Sequence, residues 1–152
     1  MITYIEYGDI FEIDNVHNYA HGCNCSGAMG KGIALQFKEK FPNMYAIYKQ
    51  LCKDGLFKPG DIFPFNYNNT SYVFNLGTQA TWKTKATLEA IEKSFHQMLL
   101  FASKNNISKI AMPKIGAGLG GLDWKNVKTI INNIANSYPN IDIFIVENYL
   151  KK

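Results

Sequence analysis

Residues 21–34 read HGCNCSGAMGKGIA and connect a predicted strand, Tyr19–Cys23, to a predicted helix that begins near Lys31. Four glycines lie in this stretch. Glycine tolerates positive φ and lets a ligand approach the backbone N–H groups closely. The N-terminus of a helix adds partial positive charge, so this connection can receive a phosphate group without a basic side chain.

A second glycine-rich stretch, residues 113–124, reads PKIGAGLGGLDW and also joins a predicted strand to a predicted helix, with Asp123 as a candidate N-cap. Eight of the twelve glycines lie in the two stretches. Either one alone is explained as well by a simple turn, but two such loops in one short chain indicate a ligand site. Neither matches the P-loop motif, and the second has the wrong spacing for a dinucleotide fingerprint. The residues therefore predict a phosphate-bearing, nucleotide-like ligand.

Short apolar runs alternate with amphipathic patterns along the whole chain. The predicted strands lie near Ile2–Tyr7, Tyr19–Cys23, Asp61–Phe65, Tyr72–Leu76, Ile107–Met112 and Ile141–Val146. One predicted helix is Met44–Lys53. Three others have apolar faces: the first at Ala34, Phe37 and Phe41, the second at Leu88, Ile91, Phe95, Leu99 and Ala102, and the third at Val127, Ile130, Ile131, Ile134 and Tyr138. This alternation predicts an α/β fold in one domain over residues 1–152, with ligands bound at the carboxyl ends of the strands.

The composition excludes several classes of protein. Hydrophobic residues make up 47% and charged residues 18%, which is typical of a packed domain rather than a disordered chain. We expect no membrane span or signal peptide and a cytoplasmic location, which agrees with an odd count of three cysteines. The net charge is +4 and every basic residue is a lysine, so sequence-specific DNA binding is disfavoured while a small anionic ligand is allowed.

Taken in order, the motifs resemble those of the macrodomains, a family whose fold binds ADP-ribose. The resemblance covers nearly the whole chain and implies a three-layer α/β/α structure with a mixed, mostly parallel six-stranded sheet. It implies that Asp9 contacts adenine, that Asn24 contacts the distal ribose and that the second loop binds the diphosphate. The full set of implied ligand contacts is Asp9, Ile10, Asn24, Gly30, Lys31, Gly32, Ile33, Thr78, Ile115, Gly116, Ala117, Gly118, Leu119 and Gly120.

Two branches of the family are similar to different parts of the chain. Residues 21–27, HGCNCSG, resemble the ADP-ribose-1''-phosphate phosphatases, whereas residues 29–37 and 120–124 resemble antitoxin macrodomains that remove ADP-ribose from DNA. The antitoxins and the related protein glycohydrolases use a lysine where this chain has Gln79. The protein glycohydrolases also use an aspartate where this chain has Gly120. Because a glutamine cannot act as an amine nucleophile or base, this difference argues against a lysine-dependent glycohydrolase.

The candidate catalytic residues are His21, Asn24 and Asp123. An imidazole titrates near neutral pH, so His21 can move a proton, although a hydrogen-bonded residue that orders the loop is an equal alternative. Asp123 can orient a water molecule, but its position favours a helix cap. A nucleophilic Cys23 or Cys25 is a minor alternative, and their C-x-C spacing is not a zinc site.

We therefore expect a monomeric hydrolase that needs no metal or other cofactor, with ADP-ribose-1''-phosphate as the leading substrate. One alternative is a hydrolase that removes ADP-ribose from protein or nucleic acid, in which case the nucleic acid is only the modified substrate. The other alternative is a reader that binds ADP-ribose without turnover.

Overall fold

The computed structural model describes residues 1–152, which form six strands and four α-helices. The strands are β1 (Ile2–Gly8), β2 (Tyr19–Asn24), β3 (Ile62–Asn68), β4 (Ser71–Gln79), β5 (Lys109–Pro113) and β6 (Asp142–Tyr149). The helices are α1 (Gly32–Lys40), α2 (Pro42–Lys53), α3 (Leu88–Lys104) and α4 (Trp124–Ala135), and a short 3-10 turn covers Ile10–Glu12. Each predicted strand and helix is present. None of the helices is both long and apolar enough to cross a membrane.

The strands form one sheet in the order β1-β6-β5-β2-β4-β3. Every neighbouring pair is parallel except β3 and β4, which are antiparallel. The predicted mixed, mostly parallel six-stranded sheet is therefore confirmed. Because β2, β4 and β5 are neighbours and run in the same direction, their carboxyl ends share one edge of the sheet. The two glycine-rich loops and the segment after Gln79 all leave from this edge.

Helices cover both faces of the sheet, and each face has its own apolar core. On one face, Phe74 and Leu76 of β4 pack with Phe95 of α3 and Val127 of α4. On the other face, the core includes Val73 of β4, Phe37 of α1, and Met44 and Tyr48 of α2. Alternate residues of the central strands point to opposite faces, so this arrangement explains why β4 is buried along almost its whole length.

Two predictions about helix length are wrong. Phe41 lies one residue past the end of α1, and Tyr138 lies in the turn that follows α4. Each residue precedes a proline, Pro42 or Pro139, and the proline ring disfavours helical backbone angles in the residue before it. Phe41 accordingly has φ −126° and ψ 70°.

Candidate functional site

A cleft of about 520 Å³ opens at the carboxyl edge of the sheet. Its volume falls in the range of about 300–1,000 Å³ that is usual for small-molecule sites. The residues that line it come from the end of β2, the first glycine-rich loop, the start of α1, the end of β4 and the second glycine-rich loop. They are Gly22, Cys23, Asn24, Ala28, Met29, Gly30, Lys31, Ala34, Gln79, Trp82 and Leu119. The predicted contacts Asn24, Gly30, Lys31 and Leu119 therefore lie together in one cleft.

The N-terminus of α1 is available to a ligand. Its N-cap residue, Lys31, makes no side-chain hydrogen bond to the first turn, whereas Thr87 caps α3 and Asp123 caps α4 through their side chains. Because Gly30, Lys31 and Ala34 line the cleft, the unpaired N–H groups at this end of α1 lie beside it. Such groups and the helix dipole favour an anion.

The second glycine-rich loop offers another set of unpaired N–H groups. The backbone amides from Gly116 to Gly120 donate no hydrogen bond within the protein. The loop is nevertheless ordered by bonds to its carbonyls, from Leu122 N to Gly116 O at 2.9 Å and from Ala86 N to Gly120 O at 2.9 Å. A fixed loop with free donors is suited to binding the oxygens of a phosphate or diphosphate.

Gly120 is required by the path of this loop. A Cβ atom on Gly120 would lie 2.6 Å from the backbone oxygen of Gly116, which is far inside van der Waals contact. A Cβ atom on Gly118, in contrast, would meet nothing within 4 Å. An aspartate at position 120 is therefore incompatible with this backbone conformation, and a side chain at position 118 is tolerated.

Asn24 orders the first glycine-rich loop from within. Its Oδ1 accepts hydrogen bonds from Ser26 N at 3.1 Å, Ser26 Oγ at 3.0 Å and Ala28 N at 3.3 Å, and the Tyr48 hydroxyl donates to Asn24 O at 2.7 Å. Its Nδ2 donates to Ala28 O at 2.8 Å. The oxygen is thus fully engaged by the protein, and one N–H of the side-chain amide is left to meet a ligand. Contact between Asn24 and a ribose stays a prediction, with Asn24 as a donor only.

Gln79 ends β4 at the floor of the cleft. Its Nε2 donates to Thr81 O at 2.9 Å and to Thr84 O at 2.8 Å, which uses both hydrogens of the amide. The Gln79 side chain is 7% exposed. It therefore holds the segment after β4 in place rather than projecting a donor into the cleft.

The surroundings of His21 argue against its predicted proton-transfer role. The imidazole is fully buried, stacks on Phe37 with ring planes 6° apart and centroids 4.1 Å apart, and does not line the cleft. Its Nε2 lies 2.7 Å from Asn75 Oδ1, and because Asn75 Nδ2 donates to Phe63 O, the imidazole is the donor of this bond. Burial lowers the pKa of His21 from 6.5 to about 4, so the ring is neutral at physiological pH.

Asp123 and Thr78 also lie outside the cleft lining. The Asp123 side chain accepts a hydrogen bond from Lys125 N at 3.0 Å and caps α4, so the structure favours the cap over the catalytic alternative. The Thr78 side chain is buried, and its hydroxyl donates to Cys23 O at 3.3 Å. The hydroxyl is thus used inside the sheet, which argues against a ligand contact through it, and a contact through the backbone of Thr78 stays a prediction.

The predicted adenine contacts, Asp9 and Ile10, lie after β1. Ile10 is fully buried in the core, so only its backbone is available to a ligand. The Asp9 carboxylate accepts from Phe11 N at 2.9 Å and from Lys152 N at 3.0 Å. These two bonds leave further acceptor positions of the carboxylate free, and the contact of Asp9 with a base stays a prediction.

Burial makes thiolate chemistry unfavourable in the cleft. Desolvation raises the pKa of Cys23 well above its ordinary value and raises the pKa of Cys25 to about 12. Both thiols are therefore protonated at neutral pH, which argues against a cysteine nucleophile.

A family model described as the Macro domain matches residues 20–131, the part of the chain that contains both glycine-rich loops. The chain belongs to the macrodomain family. Among curated relatives, it is 32% identical over 148 residues to the DNA ADP-ribosyl glycohydrolase of Mycobacterium tuberculosis, covering 95% of this chain and 42% of that protein. It is 25% identical over 161 residues to the ADP-ribose 1''-phosphate phosphatase of Meyerozyma guilliermondii, covering 86% of this chain and 91% of that protein.

The fold agreement with solved macrodomains extends over the whole chain. The macrodomain of Mycobacterium tuberculosis DarG superposes with a TM-score of 0.88 at 32% identity, covering 100% of this chain and 99% of that one. This chain nevertheless spans less than half of the full-length Mycobacterium protein that it matches. The similarity thus concerns the macrodomain and not the remainder of that protein.

Sequence reasoning missed several residues of this macrodomain's cleft. Gly22, Ala28, Met29 and Ala34 line it, and Trp82 lies at its rim with 57% of its surface exposed. The position of Trp82, three residues after the end of a strand that leads to the predicted ligand edge, is a signal that could have identified it. The other predicted contacts, Gly32, Ile33, Ile115, Gly116 and Ala117, adjoin the cleft in sequence, and their contacts with a ligand stay predictions.

Proposed function

We propose that this macrodomain binds ADP-ribose in the cleft and hydrolyses an ADP-ribose derivative there. One observation carries the proposal: two sets of unpaired backbone N–H groups, at the start of α1 and from Gly116 to Gly120, belong to loops that line the same cleft. A diphosphate between them receives hydrogen bonds from both sides without requiring an arginine, a residue that this chain lacks. The adenine then lies toward Asp9 and the distal ribose toward Asn24 and Gln79.

The hydrolysis that we propose takes place at C1'' of the distal ribose. A water oxygen forms a bond to C1'', the bond from C1'' to the acceptor breaks, and the acceptor atom takes the electron pair and a proton. The cleft lining contains no histidine, aspartate or glutamate. The protein therefore contributes mainly by orienting the substrate and by neutralising the charge of the diphosphate. The attacking water supplies the proton that the acceptor atom takes up.

Removal of ADP-ribose from a modified macromolecule is the substrate class that we favour. The similarity to a DNA ADP-ribosyl glycohydrolase covers 95% of the chain, and the burial of His21 argues against the proton transfer on which the phosphatase hypothesis depended. Gln79 stands where those glycohydrolases are expected to have a lysine. We therefore propose a slower reaction that relies on positioning rather than on a lysine nucleophile.

ADP-ribose-1''-phosphate is the second candidate substrate. The similarity to a phosphatase of that name covers 86% of this chain, and the order of the first loop around Asn24 is compatible with holding a phosphorylated ribose. In this reaction water attacks phosphorus, the bond between phosphorus and the oxygen on C1'' breaks, and inorganic phosphate leaves.

A parallel assay separates the candidates. The purified chain is incubated with ADP-ribosylated oligonucleotide, ADP-ribosylated protein and ADP-ribose-1''-phosphate, and free ADP-ribose and inorganic phosphate are measured. Release of ADP-ribose from a macromolecule, with little phosphate release, supports our leading proposal. Phosphate release alone supports the second candidate. Binding of ADP-ribose with no product from any substrate contradicts both candidates. That result supports a protein that binds ADP-ribose without turnover.

A further inference from the structure

Trp82 is an exposed aromatic side chain at the rim of the cleft. The residue is 57% exposed, although most tryptophans bury the larger part of their surface. It lines the cleft together with Leu119, a side chain of the second loop that is 72% exposed. The core does not require a tryptophan at this position, so its large apolar surface is available to a bound molecule.

The segment that carries Trp82 is well ordered by hydrogen bonds. Gln79 holds the carbonyls of Thr81 and Thr84, and the Thr81 amide donates to Thr84 Oγ1 at 3.0 Å. At its end, the Ala86 amide donates to Gly120 O in the second loop. The indole is thus displayed on a tight turn that is tied to the floor of the cleft and to the opposite loop. Such preorganisation reduces the entropy lost when a ligand binds.

The same segment is positively charged. The Lys83 ammonium lies 5.1 Å from the centre of the Trp82 ring, and the side-chain stem of Lys85 lies against Gly121 of the second loop. Residues 80–88 contain no aspartate or glutamate. An aromatic ring beside lysines is the combination by which proteins bind single-stranded nucleic acid, because a base stacks on the ring and the lysines contact phosphates.

We propose that Trp82 stacks on the nucleobase that carries the ADP-ribose, and that Lys83 contacts a neighbouring phosphate, so that the acceptor is single-stranded nucleic acid. This inference rests on the proposed function, because the base must be joined to the distal ribose in the cleft. Trp82 follows Gln79 by three residues, which places the indole ring at the end of the cleft that we assign to the distal ribose. A peptide acceptor has a flexible side chain at the attachment point and no planar ring to stack there.

The test compares affinities for three probes, measured by rapid mixing with detection of tryptophan fluorescence. The probes are free ADP-ribose, a single-stranded oligodeoxynucleotide ADP-ribosylated on one base, and an ADP-ribosylated peptide. We expect Trp82→Ala to weaken oligonucleotide binding about 10-fold more than it weakens ADP-ribose binding, since one base–aromatic stack is worth roughly that factor or more. Trp82→Phe retains a stacking surface and should recover most of the loss.

Because Trp82→Ala removes one of the two tryptophans, binding to that variant is followed by anisotropy of a label on each probe. Leu56→Ala, at a side chain that is 68% exposed and outside the cleft, is the matched control and should leave all three affinities unchanged. Lys83→Gln should lower the salt dependence of oligonucleotide binding, with a change in slope of about 0.7, the value expected for one phosphate contact on a single strand.

The results separate the inference from the proposed function. Equal losses for the oligonucleotide and for free ADP-ribose overturn the stacking role, and a greater loss for the peptide identifies a protein acceptor instead. If wild-type protein binds ADP-ribose and Trp82→Ala does not distinguish the probes, this inference alone fails. If wild-type protein does not bind ADP-ribose, the proposed function fails first.

Discussion

Gln79 donates a hydrogen bond from its side-chain Nε2 to the backbone oxygen of Thr84, at 2.8 Å, and thereby joins the last residue of β4 to the rim of the cleft. A second bond, to Thr81 O, uses the other hydrogen of the amide. Where the glycohydrolases are expected to carry a lysine, this macrodomain therefore carries a residue whose donors serve its own loop. The position has a structural role here, because Gln79 holds the loop at the rim of the cleft.

We predict that Gln79→Ala lowers the free energy of unfolding by about 1–2 kcal/mol, because two carbonyls beside the cleft lose their partners. The measurement is urea denaturation at neutral pH. Gln50→Ala is the control, since Gln50 is an exposed glutamine on α2 whose side chain bonds only to Asp54, and its effect should stay within about 0.5 kcal/mol. Equal effects of the two substitutions would show that Gln79 does not hold the rim.

We predict that Gly120→Ala destabilises the protein by about 2 kcal/mol or more, because its Cβ would lie 2.6 Å from Gly116 O and the loop backbone must shift. Gly118→Ala is the matched control, as nothing lies within 4 Å of its Cβ. Thermal denaturation of both variants checks this expectation. A melting temperature for Gly120→Ala equal to that of Gly118→Ala would mean that the second loop follows another path.

The buried His21 predicts a specific dependence of stability on pH. Its pKa in the folded protein is about 4 and its ordinary value is 6.5, so between these values the unfolded chain binds a proton that the folded chain does not. Stability from this group is present above pH 6.5 and is lost as the pH falls toward 4, by up to about 1.4 kcal/mol per pH unit.

His21→Gln should reduce that acid dependence, because the glutamine amide can still donate to Asn75 but does not titrate. Denaturation curves recorded at intervals from pH 7 to pH 4 provide the measurement. The control is His17→Gln, which removes an exposed histidine and should retain the wild-type pH dependence. An unchanged slope in His21→Gln would place the imidazole in contact with solvent.

The sequence predicts most of the fold because its signals are local. Each signal is contained in a short segment of the chain. Examples are a glycine-rich loop, an aspartate before an amphipathic stripe and a run of β-branched residues. The two wrong helix ends, at Phe41 and Tyr138, are also local effects, and the prolines that follow them are visible in the sequence. Applying the proline rule would have ended α1 at Lys40 and excluded Tyr138 from α4, although α4 ends earlier, at Ala135.

The site is harder to predict because it depends on which face of a strand a side chain occupies and on what covers it. His21 and Gly22 are neighbours on β2, yet Gly22 lines the cleft and His21 is covered by Phe37 of α1. No local pattern indicates that an aromatic ring from another element lies on the imidazole. Likewise, the bonds of Gln79 to Thr81 and Thr84 depend on the turn after β4, which periodicity does not describe.

We predict that Gly118→Glu abolishes binding of ADP-ribose while leaving the melting temperature close to that of wild type. The new side chain has space, but it places a carboxylate on the loop that we assign to the diphosphate, and two negative charges repel each other. Gly118→Gln is the isosteric control and should bind more tightly than Gly118→Glu by at least about 10-fold, since it lacks the charge. Equal affinities for the two variants would place the diphosphate elsewhere.

The central claim is that the two loops bind a diphosphate through their backbone amides, and titration with ADP-ribose tests it most directly. Calorimetry gives the heat and stoichiometry, and amide chemical shifts in the same titration show which N–H groups respond. We predict one site per chain, with the largest shifts from Gly116 to Gly120 and from Gly32 to Ala34. Absence of heat together with unshifted amides in both loops would contradict the account.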